Sequence, residues 1–146
     1  MIADLSYDPA HVLWRAGNQG SAFRVLSISA PHALPALPAR VWSQDEWELI
    51  RLGYRSRDMD EKWNIFVEGD ELFMHRSWTG HGIYQVSFTA ASGGFGIAEG
   101  VVESNRDRYR SRSDEFECVM IELLIRSLLL GEDPTELREK LWGPSR

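Results

Sequence analysis

Eight side chains in one short stretch have the chemistry to recognise something polar and flat: Lys62, Trp63, His75, Arg76, Ser77, Trp78, Thr79 and His81. Arginine offers a planar fork of N–H donors matched to carboxylate or phosphate, tryptophan a stacking face, and Ser, Thr and His short-range donors. If residues 72–78 run as a strand, Leu72, Met74, Arg76 and Trp78 share one face, while Phe73, His75 and Ser77 share the other. Apolar neighbours then draw Arg76 toward the interior, where a guanidinium requires an anion. That anion is either a carboxylate, with Glu48, Asp60 and Glu61 as candidates, or the phosphate of a ligand. Thr79-Gly80-His81-Gly82 has the glycines for a turn whose amides form an anion nest, and equally for an ordinary hairpin turn.

A second constellation is Arg106, Arg108, Arg110 and Arg112, alternating around Tyr109. On an extended backbone all four point the same way, a basic strip able to hold a nucleotide diphosphate or an acidic partner surface. The competing reading is a solvated loop paired with Glu99, Glu103 and Asp114. Asp60, Glu61, His75 and His81 are the candidates for acid–base work, but their spacing singles out no reaction class. His75 and His81 stand six residues apart with no Cys or carboxylate at ligand spacing, so no metal site is expected. Phosphate loop, dinucleotide fingerprint and nucleophile elbow are lacking, so no cofactor is expected. Cys118, in an apolar helical stretch, reads as inert core.

The elements that must hold these groups are legible from pattern. Residues 59–89 read as three antiparallel strands, with a hairpin turn at Val67-Glu68-Gly69-Asp70-Glu71. Phe23–Ile28 alternates as an earlier strand, and Val12-Leu13-Trp14 is a weaker candidate. Prolines at 31, 35 and 38 exclude a helix and imply an extended connection. Ser43-Gln44-Asp45-Glu46 is a capping box opening a helix over about 44–54, with Trp47, Ile50 and Tyr54 on its stripe, Leu49 beside them, and Trp42 and Trp47 spaced as a hydrophobic staple. Phe95–Glu103 reads as another strand whose Gly96, Ala98 and Gly100 leave one face bare, open to another backbone, a helix or a ligand, with the C-terminal helix the expected cover. Ser113-Asp114-Glu115 opens a long helix over about 114–130, with Phe116, Val119, Met120, Leu123 and Ser127 on its buried stripe. Gly131 stops it, and Asp133-Pro134 starts a short final helix. The expected fold is α+β: a single antiparallel sheet of four to five strands with both main helices on one face, residues 1–146 forming one domain.

Met59-Asp60-Glu61-Lys62-Trp63 followed by His75-Arg76-Ser77-Trp78-Thr79-Gly80-His81-Gly82-Ile83-Tyr84 resembles an uncharacterised small bacterial domain that occurs alone or beside ADP-ribosylglycohydrolase-like domains. The resemblance covers about a quarter of the chain. It implies ADP-ribose biology or toxin immunity, and brings no catalytic residues with it.

Composition bounds the rest. A chain of 146 residues with 43% apolar and 26% charged residues can bury a core without disulfides or metal. The net charge of −6 argues against nucleic acid and for basic protein partners. One cysteine, no leader-like start and no long apolar run lead to an expected cytoplasmic protein with no membrane partner. The expected function is a small bacterial binding or accessory protein recognising an ADP-ribose-like ligand or a toxin-type partner, an immunity role. The alternative is an enzyme acting on a nucleotide or ADP-ribosyl linkage with His75 or His81 as acid or base.

Overall fold

A computed structural model describes residues 26–58 and 60–143. Five strands form one antiparallel sheet: β1 (Pro31–Ala33), β2 (Trp63–Glu68), β3 (Glu71–Arg76), β4 (Gly82–Ala91) and β5 (Gly94–Glu103), in spatial order β1-β5-β4-β3-β2. Among the described residues three α-helices accompany it: α1 (Gln44–Leu52), α2 (Asp114–Leu124) and α3 (Thr135–Trp142). The fold is α+β, as the patterns predict. Val12-Leu13-Trp14 and Phe23–Val25 lie outside the described residues, and Leu26 makes only an isolated parallel bridge to His81.

Register explains which side chains meet. Pairing of Ile65 with Met74, Met74 with Tyr84 and Tyr84 with Val102 puts all four on one face, together with Trp63, Val67, Leu72, Val86 and Phe88. Trp47 and Ile50 of α1 and Ile121 and Leu124 of α2 join the same buried cluster, so these helices pack on one face of the sheet. Ser43 caps α1 with both reciprocal bonds of a capping box. Trp42 and Trp47 flank the cap and both pack on Phe88, at centroid distances of 5.6 and 4.7 Å.

Several expectations require correction. The helix α1 ends at Leu52, because Gly53 takes a left-handed φ of 73°; Tyr54 instead bridges to Ile65, and Leu49 is exposed. The proline-rich segment is extended, but its first residues pair with β5 as an edge strand, where a leading proline is tolerated. The bare face of β5 does not exist as a face. A bulge opposite Ser87/Phe88 inserts Ala98 as an extra residue, so Gly96 and Gly100 point to opposite sides. Gly100 is covered by Leu37 of the connection rather than by α2: a Cβ there would come within 2.8 Å of Leu37 Cδ2.

The long helix over 114–130 is also revised. Regular α-helix covers only Asp114–Leu124, and the chain continues as a five-residue π turn, Ile125–Leu129, closed by the Leu130 amide on the Ile125 carbonyl. Of the expected stripe Leu123 is buried, while Phe116, Val119, Met120 and Ser127 are only partly so; the fully inward positions are Glu117, Ile121, Leu124, Ile125 and Leu129, because a glutamate takes an inward place. Gly131, at φ 67°, follows as the stop.

The two left-handed glycines beside β2 separate strain from crowding. At Gly69, φ 62°, an added Cβ meets nothing within 4 Å, whereas at Gly53 it would lie 2.4 Å from the Ile65 carbonyl oxygen. Gly69→Ala should therefore cost about 1 to 2 kcal/mol, the penalty for a left-handed residue with a Cβ. Gly53→Ala should cost clearly more, because the β2 backbone must move, and urea unfolding of both variants measures the difference.

Candidate functional site

The two sequence constellations, read as separate, are brought together. The turn after β3 and the segment between β5 and α2 meet over the Trp63 end of the sheet and enclose two adjoining cavities, of about 320 and about 360 Å3. Lys62, Arg76, Trp78, Thr79 and Arg108 line the first. Trp63, Arg76, Arg108, Tyr109, Arg110 and Arg112 line the second, with Phe116, Met120 and Trp142. Arg76 and Arg108 are common to both, so the cavities form one cleft.

Arg76 lies on the helix-bearing face, as alternation predicts, but its expected carboxylate partner is missing. Glu61 is taken by Arg57, 2.6 Å away, and by the Tyr54 hydroxyl. Arg57 first, then Tyr54, holds the Glu61 carboxyl down at about 2. The Arg76 guanidinium instead stacks over the Trp63 ring at 4.5 Å, with the Tyr109 ring at 5.9 Å. Aromatic faces ease the partial burial of a cation without neutralising it. Trp63 in turn stacks on Tyr84, 5.9 Å away, and is 7% exposed.

The arginine-rich segment is not extended. Residues 106–108 form a turn in which the Asn105 carbonyl accepts from the amides of Arg108 and Tyr109. This folds Arg106 away from the cleft and leaves Arg108, Arg110 and Arg112 in it. Arg108 donates to the Ser27 carbonyl at 3.1 Å, and Arg112 lies 4.6 Å over the Phe116 ring. The expected pairing with Glu99, Glu103 and Asp114 does not occur. Glu103 accepts the amides of Ser29, Ala30 and Asn105; burial alone would raise its pKa, but those amides hold it below the ordinary value. Asp114 lies 3.0 Å from His32. Among the described residues, no ion pair reaches Lys62, Arg76, Arg108, Arg110 or Arg112.

One buried acid fixes the loop. Glu117 is fully buried and accepts at Oε1 from the hydroxyls of Tyr84 and Tyr109, and at Oε2 from the Arg112 amide at 2.6 Å. The two hydroxyls are 3.0 Å apart. Burial first, then the neighbouring Tyr109 and Glu117, pushes the Tyr84 phenol well above its usual range; burial, with Glu117 assisting, pushes Tyr109 up to about 12. Both phenols therefore remain donors at physiological pH. Sequence reasoning missed Glu117 and Tyr84. The available signal was a glutamate at helical spacing from Ile121 and Leu124, inside an apolar stretch.

Other expected site residues lie elsewhere. His75 is 2% exposed on the opposite face, against the Phe66 ring at 5.3 Å, with Nδ1 2.8 Å from the Gly80 carbonyl. Burial lowers its pKa to about 4, so it is a neutral residue pinning the turn. Ser77 donates its hydroxyl to the Glu61 carbonyl, and His81 lines neither cavity while its own carbonyl accepts the Arg76 amide. An anion nest at Thr79–Gly82 is not available: the amides of Gly80, His81 and Gly82 donate to Arg76 O, Thr79 Oγ1 and Leu26 O. Among the described residues no group of three or more His, Cys, Asp or Glu is placed to hold a metal ion, and no helix is long and apolar enough to cross a membrane.

No family model, curated protein or solved structure matches the chain.

His75 generates a pH prediction. Its folded value of about 4 lies below the ordinary 6.5, so below pH 6.5 the unfolded chain binds a proton the folded protein refuses. Its contribution is complete above pH 6.5, falls as pH drops toward 4, and amounts to about 3 kcal/mol over that window. Replacing the titrating ring, as in His75→Gln, should flatten that part of the stability profile, measured by urea unfolding at pH 7, 5.5 and 4.

Proposed function

We propose that the protein is a binding protein for an ADP-ribose-like ligand, held in the cleft between the β3–β4 turn and the arginine-rich loop. The observation that carries this reading is the set of five cations, Lys62, Arg76, Arg108, Arg110 and Arg112, lining adjoining cavities with no carboxylate in ion-pair reach among the described residues. Uncompensated cations repel one another, and a diphosphate relieves that repulsion while accepting several charge-assisted hydrogen bonds. Trp78, 66% exposed at the rim, supplies a face on which a purine stacks. The acidic net charge of the chain makes this concentration of positive charge a local feature, and a basic toxin-type partner would be repelled there. The unpaired thiol Cys118 accords with a reducing compartment, and the cytoplasm is the proposed location.

Tryptophan emission during titration with ADP-ribose tests the reading, since Trp63 and Trp78 border the cleft. A saturable change is expected, and a flat response to millimolar ligand overturns the proposal. Arg76→Ala should weaken binding about tenfold to a hundredfold, the loss of one or two charge-assisted hydrogen bonds. Its unfolding free energy should fall by only about 1 kcal/mol, the value of the cation–π contact, because no buried carboxylate is stranded. A loss of several kcal/mol would instead assign Arg76 a structural role.

A further inference from the structure

A third cavity, of about 310 Å3, continues the cleft. It shares Trp63, Met120 and Trp142 with the arginine-lined cavity and Lys62 with the Trp78 cavity, so the three form one groove with the cations at its middle. Leu123, Leu124 and Leu128 line it between Trp63 and Trp142, together with Asp60, Glu61 and Arg138. Glu61 is occupied by Arg57 and Tyr54, whereas the Asp60 carboxylate bonds to no described residue. Apolar and aromatic walls with one available carboxylate, and with Lys62 and Arg138 also present, suit a planar ring that carries an amide N–H.

We infer that this third cavity is a second ring subsite of the same ligand, so that the site takes a dinucleotide: one planar base on Trp78, the diphosphate on the arginines, and an amide-bearing ring beside Asp60, between the edge of Trp63 and the exposed Trp142. The inference rests on the proposed anion cleft and extends it. Neither anion cavity needs a carboxylate, and Asp60 lines only the third.

NAD+ and ADP-ribose differ by the nicotinamide ring alone, a planar cation bearing a carboxamide. Calorimetric titration of the full chain with each is the test. NAD+ should bind at least tenfold more tightly than ADP-ribose, and Asp60→Asn should erase most of that advantage while leaving ADP-ribose affinity unchanged. Equal affinities, or an advantage that survives Asp60→Asn, would overturn the ring subsite while leaving the anion cleft standing. Octyl phosphate binding more tightly than both would assign the slot to an alkyl chain and also overturn it. Binding of none of the three would remove the anion-cleft reading itself, a distinct outcome.

Discussion

The buried carboxylate of Glu117 is the constraint on which the cleft depends. Taking a carboxylate out of water costs several kcal/mol, and only well-placed donors repay it. Here three donors converge on it: two phenols and the Arg112 amide. They come from different parts of the chain. Tyr84 belongs to the centre of the sheet, Tyr109 and Arg112 to the loop, and Glu117 itself to α2. The network therefore sets the height and tilt of the loop over the sheet, and with it the positions of Arg108, Arg110 and Arg112. Leaving any of these donors unpaired in the interior would cost about 1 to 3 kcal/mol, which makes one loop arrangement strongly preferred.

That rigidity has electrostatic work to do. Two like charges 6 Å apart repel by about 0.7 kcal/mol in water and about 3 kcal/mol at the effective dielectric of a protein surface. A free loop would relax such repulsion by letting its arginines swing into solvent or toward the acidic remainder of the chain. Anchoring at Tyr109 and Arg112, with the Arg108 side chain held by the Ser27 carbonyl, prevents this. Arg76 is held similarly, between the rings of Trp63 and Tyr109. Aromatic support keeps a guanidinium in place without supplying the counter-charge that a ligand would otherwise have to displace.

Local rules were legible and long-range ones were not. The capping box at Ser43, the hairpin through Gly69 and the stop at Gly131 each depend on a few adjacent residues and were readable from them. The face of Arg76 followed from simple alternation. Alternation failed where the strand carried an extra residue, at Ala98, since nothing in Gly96-Ile97-Ala98-Glu99-Gly100 marks which position bulges. It failed again at the arginine strip, where Asn105 closes a turn that sends Arg106 away. Part of the helical stripe is misplaced because nothing local marks Glu117 as an inward residue. Its partners, Tyr84 and Tyr109, lie 33 and 8 residues away, and only the fold brings them to it. The meeting of the two basic constellations was unreadable for the same reason, being a property of sheet order and loop anchoring rather than of either stretch.

The division of labour between the two faces of β3 follows from the same geometry. His75 and Arg76 are neighbours in sequence, yet the pleat sends one ring into a neutral, buried position under the turn and the other side chain into the cleft. By holding the Gly80 carbonyl, His75 fixes the turn that carries Trp78 and Thr79. A protonated His75 would be a buried cation; because burial keeps its pKa near 4, the ring stays neutral and adds no further positive charge behind a cleft already crowded with it. The histidine that the sequence offers as an acid or base thus supports the wall of the cleft from behind.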